Sequence, residues 1–225
     1  MMLGEARRLG VISSNPAAEI SKLAEKPKEK RILTLDEVHD LFVDPDAWRD
    51  LKYYTANLLA ASTGMRLGEV QGLQTRYVHD EYVAVMHSWG RKHGLQPPKG
   101  GKPREVPIPA KTSDYLRRVT EPGADPESFV FYGVDPRTPL DHKTIAEALY
   151  EALKAIEIDE PKREARNITF HSWRHFFNTI CRSRIPDHKL RRLTGHRTEA
   201  MTEHYTHIRL EDFQDLAELQ AEVFS

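Results

Sequence analysis

Cysteine and long apolar runs are scarce in this chain. Cys181 is the single cysteine among 225 residues, so an internal disulfide is excluded and a reducing compartment is favoured. Because Cys181 stands in an apolar run, we expect a buried core thiol. The sequence has neither an apolar run of about eighteen residues nor a signal-like start, so we expect no membrane span and no secretion. These absences favour a cytoplasmic protein that has no membrane partner.

An excess of positive charge is also missing. The chain has 33 basic and 34 acidic residues, a formal net charge of −1. Residues 1–207 hold 32 basic and 29 acidic residues, because the C-terminal segment is acidic. This slight positive balance speaks against strong non-specific affinity for nucleic acid. The remaining composition, 39% hydrophobic and 30% charged, is ordinary for a globular protein.

Residues 1–30 lack a regular core pattern. A turn signal occupies residues 13–16, residues 17–24 predict one short helix, and the charged run KPKEKR at 26–31 is typical of a linker. We therefore predict that residues 1–30 are a linker segment and that residues 31–225 form one domain.

Helical periodicity dominates residues 31–225. Thr34 and Glu37 form a predicted capping box, which opens a helix that ends near Phe42. Apolar spacing predicts further helices at about 47–62, 66–73, 113–119, 145–156, after Thr169, after Pro186, 198–206 and 210–223.

Residues 78–109 have a different, strand-like character. Tyr82–Met86 is rich in β-formers, and two short extended pieces flank Gly100-Gly101. Together they predict three strands with a Gly-Gly turn. The predicted fold class is therefore mainly α with a small three-stranded antiparallel β-sheet.

The residues that carry chemistry are concentrated near the C-terminus. His171, Arg174 and His175 are spaced to share one face of a helix, and His196 and Tyr205 follow. This arrangement suits an anionic, phosphate-like group held beside a nucleophilic hydroxyl. A phenol, with a pKa of about 10, becomes a nucleophile when positive neighbours favour its phenolate.

Two earlier stretches add basic groups. In TGMRLGE, Arg66 presents a fork that matches two phosphate oxygens, and Glu69 either orients it or forms an ordinary surface pair. In PKGGKPRE, Lys99 is either an exposed hairpin tip or a general acid for a leaving alkoxide. Lys92 and Lys102 compete with Lys99 for that role.

Four motifs occur in a characteristic order: TGMRLGE, PKGGKPREVPI, HSWRHFF and LTGHRTEAMTEHYTH. With them, the chain resembles the catalytic domain of the tyrosine recombinase (phage integrase) family over roughly Arg31–His207. The combination is highly specific, and HSWRH and TGH…Y contribute most of the specificity.

The resemblance implies a role for each matching residue. The implied catalytic residues bind phosphate, transfer protons or act as the nucleophile. They are Arg66, Lys99, His171, Arg174, His196 and the nucleophile Tyr205. Glu69 and His175 occupy supporting positions beside them. Lys102 and Arg104, on the same hairpin as Lys99, are expected to bind DNA.

Two departures from the family pattern are mild. Trp173 stands where an aliphatic residue is common, and Thr194 where leucine is common. A larger departure is at the front, because family members normally carry an N-terminal helical domain that clamps DNA. Residues 1–30 look like a remnant of that domain, and residues 31–225 like the catalytic domain with its C-terminal helix.

The resemblance also implies an activity. Such a protein cleaves and rejoins double-stranded DNA through a 3′-phosphotyrosyl intermediate, without ATP, metal or cofactor. It acts as a homotetramer on synapsed DNA, and we expect a monomer without DNA. The implied biology is DNA integration or recombination by a mobile genetic element.

Three alternatives remain open from the sequence. One is type IB topoisomerase-like cleavage of a single duplex, and another is a DNA-binding domain of the same fold that has lost activity. The third is a metal hydrolase built on the histidines. It is disfavoured because Ser172 stands where a zinc-protease helix has glutamate and because Arg174 would repel a cation.

Overall fold

The structure, a computed structural model, describes residues 2–18, 32–99, 102–195 and 214–224. In that part of the chain, the α-helices are α1 Met2–Arg8, α2 Leu35–Val43, α3 Leu51–Thr63, α4 Leu67–Gln71, α5 Ala110–Val119, α6 His142–Ala155, α7 Glu160–Ala165, α8 Ser172–Arg182, α9 Asp187–Thr194 and α10 Gln214–Phe224. The strands are β1 Tyr82–Val85, β2 Ser88–Gly90, β3 Gly94–Gln96 and β4 Arg104–Pro107. The mainly helical fold class is confirmed.

The predicted capping box opens α2. The Thr34 hydroxyl accepts from the Glu37 amide at 3.2 Å, and the Glu37 carboxylate accepts from the Thr34 amide at 2.8 Å. Arg166, at the end of α7, donates to both oxygens of Glu37 at 2.6 and 2.8 Å. A local start signal therefore also attaches the first helix of the domain to a segment far along the chain.

Helix α3 is the central element of the core. Its residues from Tyr54 to Thr63 are buried on all sides, as expected of a helix covered by other elements. It contacts α5, α6 and α8. The indole N–H of Trp173 on α8 donates to the side-chain oxygen of Asn57 at 2.9 Å, which satisfies a buried polar pair.

A close approach fixes the end of α3. Gly64 has φ 66° and closes the helix in the left-handed conformation. A Cβ on Gly64 would lie 2.7 Å from Cδ1 of Phe177 on α8. Both the backbone conformation and the limited space require glycine at this position. Gly64 therefore fixes the direction in which the chain continues from α3 to Met65 and Arg66.

The strands are paired differently from our expectation. Within the described residues, β1 pairs antiparallel with β4, and β2 pairs antiparallel with β3. The prediction of one three-stranded sheet is therefore wrong in its topology, although the small antiparallel character is confirmed. The prediction missed β2, a strand of three residues.

The helix predictions differ from the structure at several places along the chain. The prediction missed α1, which buries no residue, and α7. Helix α3 begins later than expected because a 3-10 turn occupies Pro45–Ala47. The helix predicted at 198–206 lies outside the described residues, as does most of the one predicted at 17–24.

The last helix packs on its own chain. Leu216, Leu219 and Phe224 of α10 are buried. Gln220, also buried, donates from Nε2 to the carbonyls of Ser62 at 2.7 Å and Pro107 at 2.9 Å. Helix α10 therefore covers the end of α3 and the end of β4.

The structure bears on the expectations for Cys181 and for a membrane span. Cys181 is fully buried, as predicted, and burial raises the pKa of its thiol to about 12. Of the helices in the described ranges, none is both long enough and apolar enough to span a bilayer.

Candidate active site

Arg66 lies where the chain leaves α3 and starts α4. Its side chain is 23% exposed and donates from Nη1 to Oε1 of Glu69 at 3.1 Å. Its backbone amide donates to Oε2 of Glu69 at 2.9 Å. Longer contacts of 3.4 and 3.5 Å reach the carbonyls of Thr194 and Gly195, across more than half of the chain.

Glu69 is a buried carboxylate, not a surface partner. Its side chain has 0% exposure, which decides between the two interpretations left open by the sequence. Burial raises the pKa of Glu69, but the hydrogen bonds and charge of Arg104, together with Arg66, outweigh this effect and hold the pKa below its ordinary value. The carboxylate is therefore ionised at neutral pH and organises the arginines around it.

Arg104, which the resemblance implies as a DNA-binding residue, has a buried side chain in the structure. Its side chain is 6% exposed and donates two parallel hydrogen bonds to Glu69, Nη1 to Oε1 at 3.1 Å and Nη2 to Oε2 at 2.7 Å. Its Nε donates to the carbonyl of Leu193 at 2.6 Å. The strand turns Arg104 inward with Val106, while Glu105 is exposed. In this structure its guanidinium is occupied by protein groups.

Arg174, on α8, reaches the end of α9 that Arg66 and Arg104 also contact. It is buried, and it donates from Nη1 to the Gly64 carbonyl at 2.9 Å and from Nη2 to the Thr194 carbonyl. Burial, followed by the charge of Arg66, lowers the pKa of Arg174 to about 10. Arg174 remains cationic at neutral pH but lies in a region where positive charge is in excess.

The C-terminal end of α9 receives all three arginines. Arg104 donates to the Leu193 carbonyl. Arg66 and Arg174 both donate to the Thr194 carbonyl. Arg66 also donates to the Gly195 carbonyl. Cations are favourable there because the helix end carries partial negative charge. Gly195 ends the helix with φ 65°. His196 directly follows this anchored end.

The two histidines of the HSWRH motif are neighbours. His171 is exposed at the N-cap of α8, and its ring lies 5.0 Å from that of the half-buried His175, edge to face. His171 and Leu67 both line an open cavity of about 390 Å³. Leu67 is the residue that follows Arg66 in the chain.

The remaining candidates are on the hairpin or beyond the described residues. Lys99 and Lys102 are exposed, and Gly100-Gly101 between them lies outside the described residues. His196 and the expected nucleophile Tyr205 also lie outside them. The described residues include no group of three or more His, Cys, Asp or Glu side chains suited to a metal ion.

The chemistry of the site follows from its charge. Three guanidiniums, from Arg66, Arg104 and Arg174, surround the single carboxylate of Glu69. The cluster therefore keeps an excess of two positive charges in a largely buried place, where electrostatic interactions are stronger than in water. Such a site stabilises an anion with several oxygens, which arginine forks bind well.

Comparison with known proteins shows the family. A model of the phage integrase family matches residues 31–211, which is most of the chain, and the chain belongs to that family. It is 28% identical over 218 residues to the tyrosine recombinase XerC of Vibrio vulnificus (strain YJ016), covering 93% of this chain and 62% of the relative. It is 26% identical to the XerD recombinase of Ralstonia nicotianae, covering 94% of this chain and 67% of the relative.

Solved structures share the fold. The integrase of transposon Tn1549 in complex with transposon right end DNA has a TM-score of 0.69 at 19% identity, covering 96% of this chain and 74% of that one. A lambda integrase tetramer bound to a Holliday junction has a TM-score of 0.59 at 19% identity, covering 88% and 56%. Both likenesses concern the fold. The chain spans somewhat over 60% of the XerC relative's length.

Proposed function

We propose that this chain is the catalytic part of a site-specific DNA recombinase that cuts and rejoins double-stranded DNA through a 3′-phosphotyrosyl bond. Family membership supports recombination as the function. The observation that carries the proposal for this chain is the excess of positive charge around Glu69, where the guanidiniums of Arg66 and Arg174 meet beside the end of α9. A phosphodiester in the transition state has the anionic, multi-oxygen chemistry that this cluster would stabilise.

In the proposed reaction, the phenolate oxygen of Tyr205 attacks phosphorus in line, and the bond to the 5′ oxygen breaks. The leaving oxygen takes a proton from Lys99. The phosphotyrosyl bond keeps the energy of the phosphodiester, so neither ATP nor a metal is consumed. Attack by another 5′-hydroxyl reverses the step, rejoins the DNA and frees the tyrosine.

The other groups act on the phosphate or on the nucleophile. Arg66 and Arg174 neutralise the non-bridging oxygens, where charge develops. His196 donates a hydrogen bond to phosphate, and its position after the anchored Gly195 supports that role. His171 takes the tyrosine proton or holds phosphate, with His175 beside it at the same end of α8.

Covalent trapping tests the proposal. The protein is mixed with nicked duplexes made from the DNA that flanks its own gene, so that the cleaved strand loses its 5′ end and cannot be rejoined. We expect a DNA-linked protein band on denaturing gels. Tyr205→Phe should bind the same duplexes in a gel shift but form no band, and a band that persists in this variant would place the nucleophile elsewhere.

The partner is double-stranded DNA, and the working assembly is a homotetramer on two synapsed duplexes. Sedimentation with and without DNA tests this, since we expect a monomer in the absence of DNA. A type IB topoisomerase-like activity would instead relax supercoiled plasmid without exchanging strands. A decayed DNA-binding domain would bind DNA and form no adduct. If the chain alone gives no band, an N-terminally extended chain separates a missing domain from lost activity.

A further inference from the structure

Arg104 is a buried cation that the proposed reaction leaves without a task. Its guanidinium uses three N–H groups on two partners, the carboxylate of Glu69 and the carbonyl of Leu193. Both partners belong to segments that support the proposed reacting groups. Glu69 holds Arg66, and Leu193 lies in the last turn of α9, two residues before Gly195.

We infer that Arg104 is a positioning residue, which fixes the Arg66 guanidinium and Gly195 relative to each other through Glu69 and the end of α9. The inference rests on the proposed function for its meaning in catalysis. A positioning role for Arg104 gives strand β4 a role distinct from DNA contact, since Arg104 faces the interior on the same side of the strand as Val106.

The geometry explains why one residue can hold both groups. Glu69 accepts four hydrogen bonds. Each of its two carboxylate oxygens accepts one from Arg66 and one from Arg104. The carboxylate is therefore held between the guanidinium fork of Arg104 and the Nη1 and backbone amide of Arg66, and it has one favourable orientation. If Arg104 is removed, half of these bonds disappear, and the orientation of the Arg66 side chain loses its support.

The contact with α9 is equally direct. A Cβ on Gly195 would lie 3.4 Å from Nη1 of Arg104 and 3.7 Å from Nη1 of Arg66. Both guanidiniums therefore lie against the turn that precedes His196. The Arg104 bond to Leu193, at 2.6 Å, is shorter than the Arg66 contacts to Thr194 and Gly195, at 3.4 and 3.5 Å. Of these two arginines, Arg104 thus makes the closer contact with the end of α9.

Three cationic groups face Glu69 from the described elements packed around it: Arg66 at the start of α4, Arg104 on β4 and Arg174 on α8. Loss of Arg104 leaves a buried carboxylate with fewer partners, so its pKa must rise. A protonated Glu69 has one oxygen that donates instead of accepting, and it can no longer hold Arg66 in the same way. A positioning role therefore has a pH signature that a purely structural role lacks.

The first arm of the test needs no DNA. Arg104→Met, Arg104→Lys and the parent are compared by NMR, with the Glu69 carboxyl signal assigned through its loss in Glu69→Gln. We expect Arg104→Met to raise the pKa of Glu69 and to shift the amide signal of Gly195, and Arg104→Lys to do both to a smaller extent. Unchanged Glu69 and Gly195 signals in folded Arg104→Met would overturn the inference.

The second arm measures covalent adduct formation against pH. We expect Arg104→Met to be slower by between about tenfold and a hundredfold and to lose further activity on the acid side. Arg104→Met/Glu69→Gln should lack that acid dependence, because the titrating group is gone. A profile of Arg104→Met parallel to that of the parent contradicts the inference.

Arg166→Met is the matched control. Arg166 also binds both oxygens of a partly buried glutamate, Glu37, but it does so at the start of α2. We expect it to lower stability while leaving the pH profile and the Gly195 signal as in the parent. If Arg104→Met fails to fold, Arg104→Lys and the double variant, which leaves no uncompensated buried carboxylate, carry the test. If the parent forms no adduct either alone or as the N-terminally extended chain, the proposed function fails and the NMR arm alone decides.

Discussion

Gly64 and Phe177 are so close that no side chain fits between them: a Cβ at Gly64 would lie 2.7 Å from Cδ1 of Phe177. Gly64 also has φ 66° and its carbonyl accepts from Arg174. This one contact therefore joins the end of α3, the packing of α8 and the placement of two arginines. A local requirement for glycine is thus also a requirement of the site.

Gly64→Ala should destabilise the protein by about 2–5 kcal/mol, since left-handed backbone strain and overpacking against Phe177 add to each other. Gly123→Ala is the matched control, because Gly123 has φ 76° with open space where its Cβ would point. It should cost only the backbone strain, about 1–2 kcal/mol. Urea unfolding of both variants checks this, and equal losses would show that the Phe177 contact is unimportant.

Arg174→Lys should reduce covalent adduct formation at least about a hundredfold while DNA binding persists. Lysine keeps the charge but cannot donate to Gly64 and Thr194 from one planar fork. Arg182→Lys, at the exposed end of the same helix, should behave as the parent does. The measurement is the rate of adduct formation on nicked duplexes. Near-parent rates in Arg174→Lys would remove Arg174 from the proposed mechanism.

Glu37→Gln should weaken the acid sensitivity of stability. The hydrogen bond to Arg166 is the largest cause that holds the pKa of Glu37 below its ordinary value. A depressed carboxyl pKa contributes stability above the unfolded value of about 4.3, and this contribution is lost as pH falls through the folded pKa.

The variant should therefore be less stable than the parent at pH 7 and lose less stability on acidification. Urea unfolding at neutral and acidic pH measures the difference, with the exposed Glu81→Gln as control. An equal loss of stability on acidification in Glu37→Gln and in the parent would contradict the role of the Arg166 pair.

Cys181 should resist a thiol reagent in the folded protein at pH 8 and react fully in urea. Its thiol is buried and its pKa is raised to about 12, so neither access nor thiolate is available. Because it is the single cysteine, its labelling rate also reports unfolding in the variants above. Rapid stoichiometric labelling of the folded parent would contradict this burial.

The sequence predicted the features that depend on neighbouring residues. The capping box of Thr34 and Glu37 is confirmed, as is the end of the helix predicted at about 47–62, because both arise within a few residues of chain. The buried Cys181 is confirmed as well. The roles of His196 and Tyr205 stay predictions, since both residues lie outside the described part of the chain.

The family resemblance implies that Arg104 binds DNA, whereas the structure buries its side chain. A signal was present, since Arg104 and Val106 are two residues apart and therefore face the same side of a strand. The two-residue repeat of a strand could predict that Arg104 faces inward, but it could not predict which residues Arg104 binds. Glu69 is 35 positions away, and the Leu193 carbonyl is 89 positions away.

The sequence by itself therefore determined the residue types, the family pattern and the local helix signals, because these depend on side-chain chemistry and short-range geometry. Tertiary structure decided that Arg66 and Arg104 share the buried carboxylate of Glu69 and that Arg174 joins them at one helix end. It also decided that the strands form two pairs in the described residues. Both outcomes depend on contacts between distant segments, where packing and the exclusion of water select the partners.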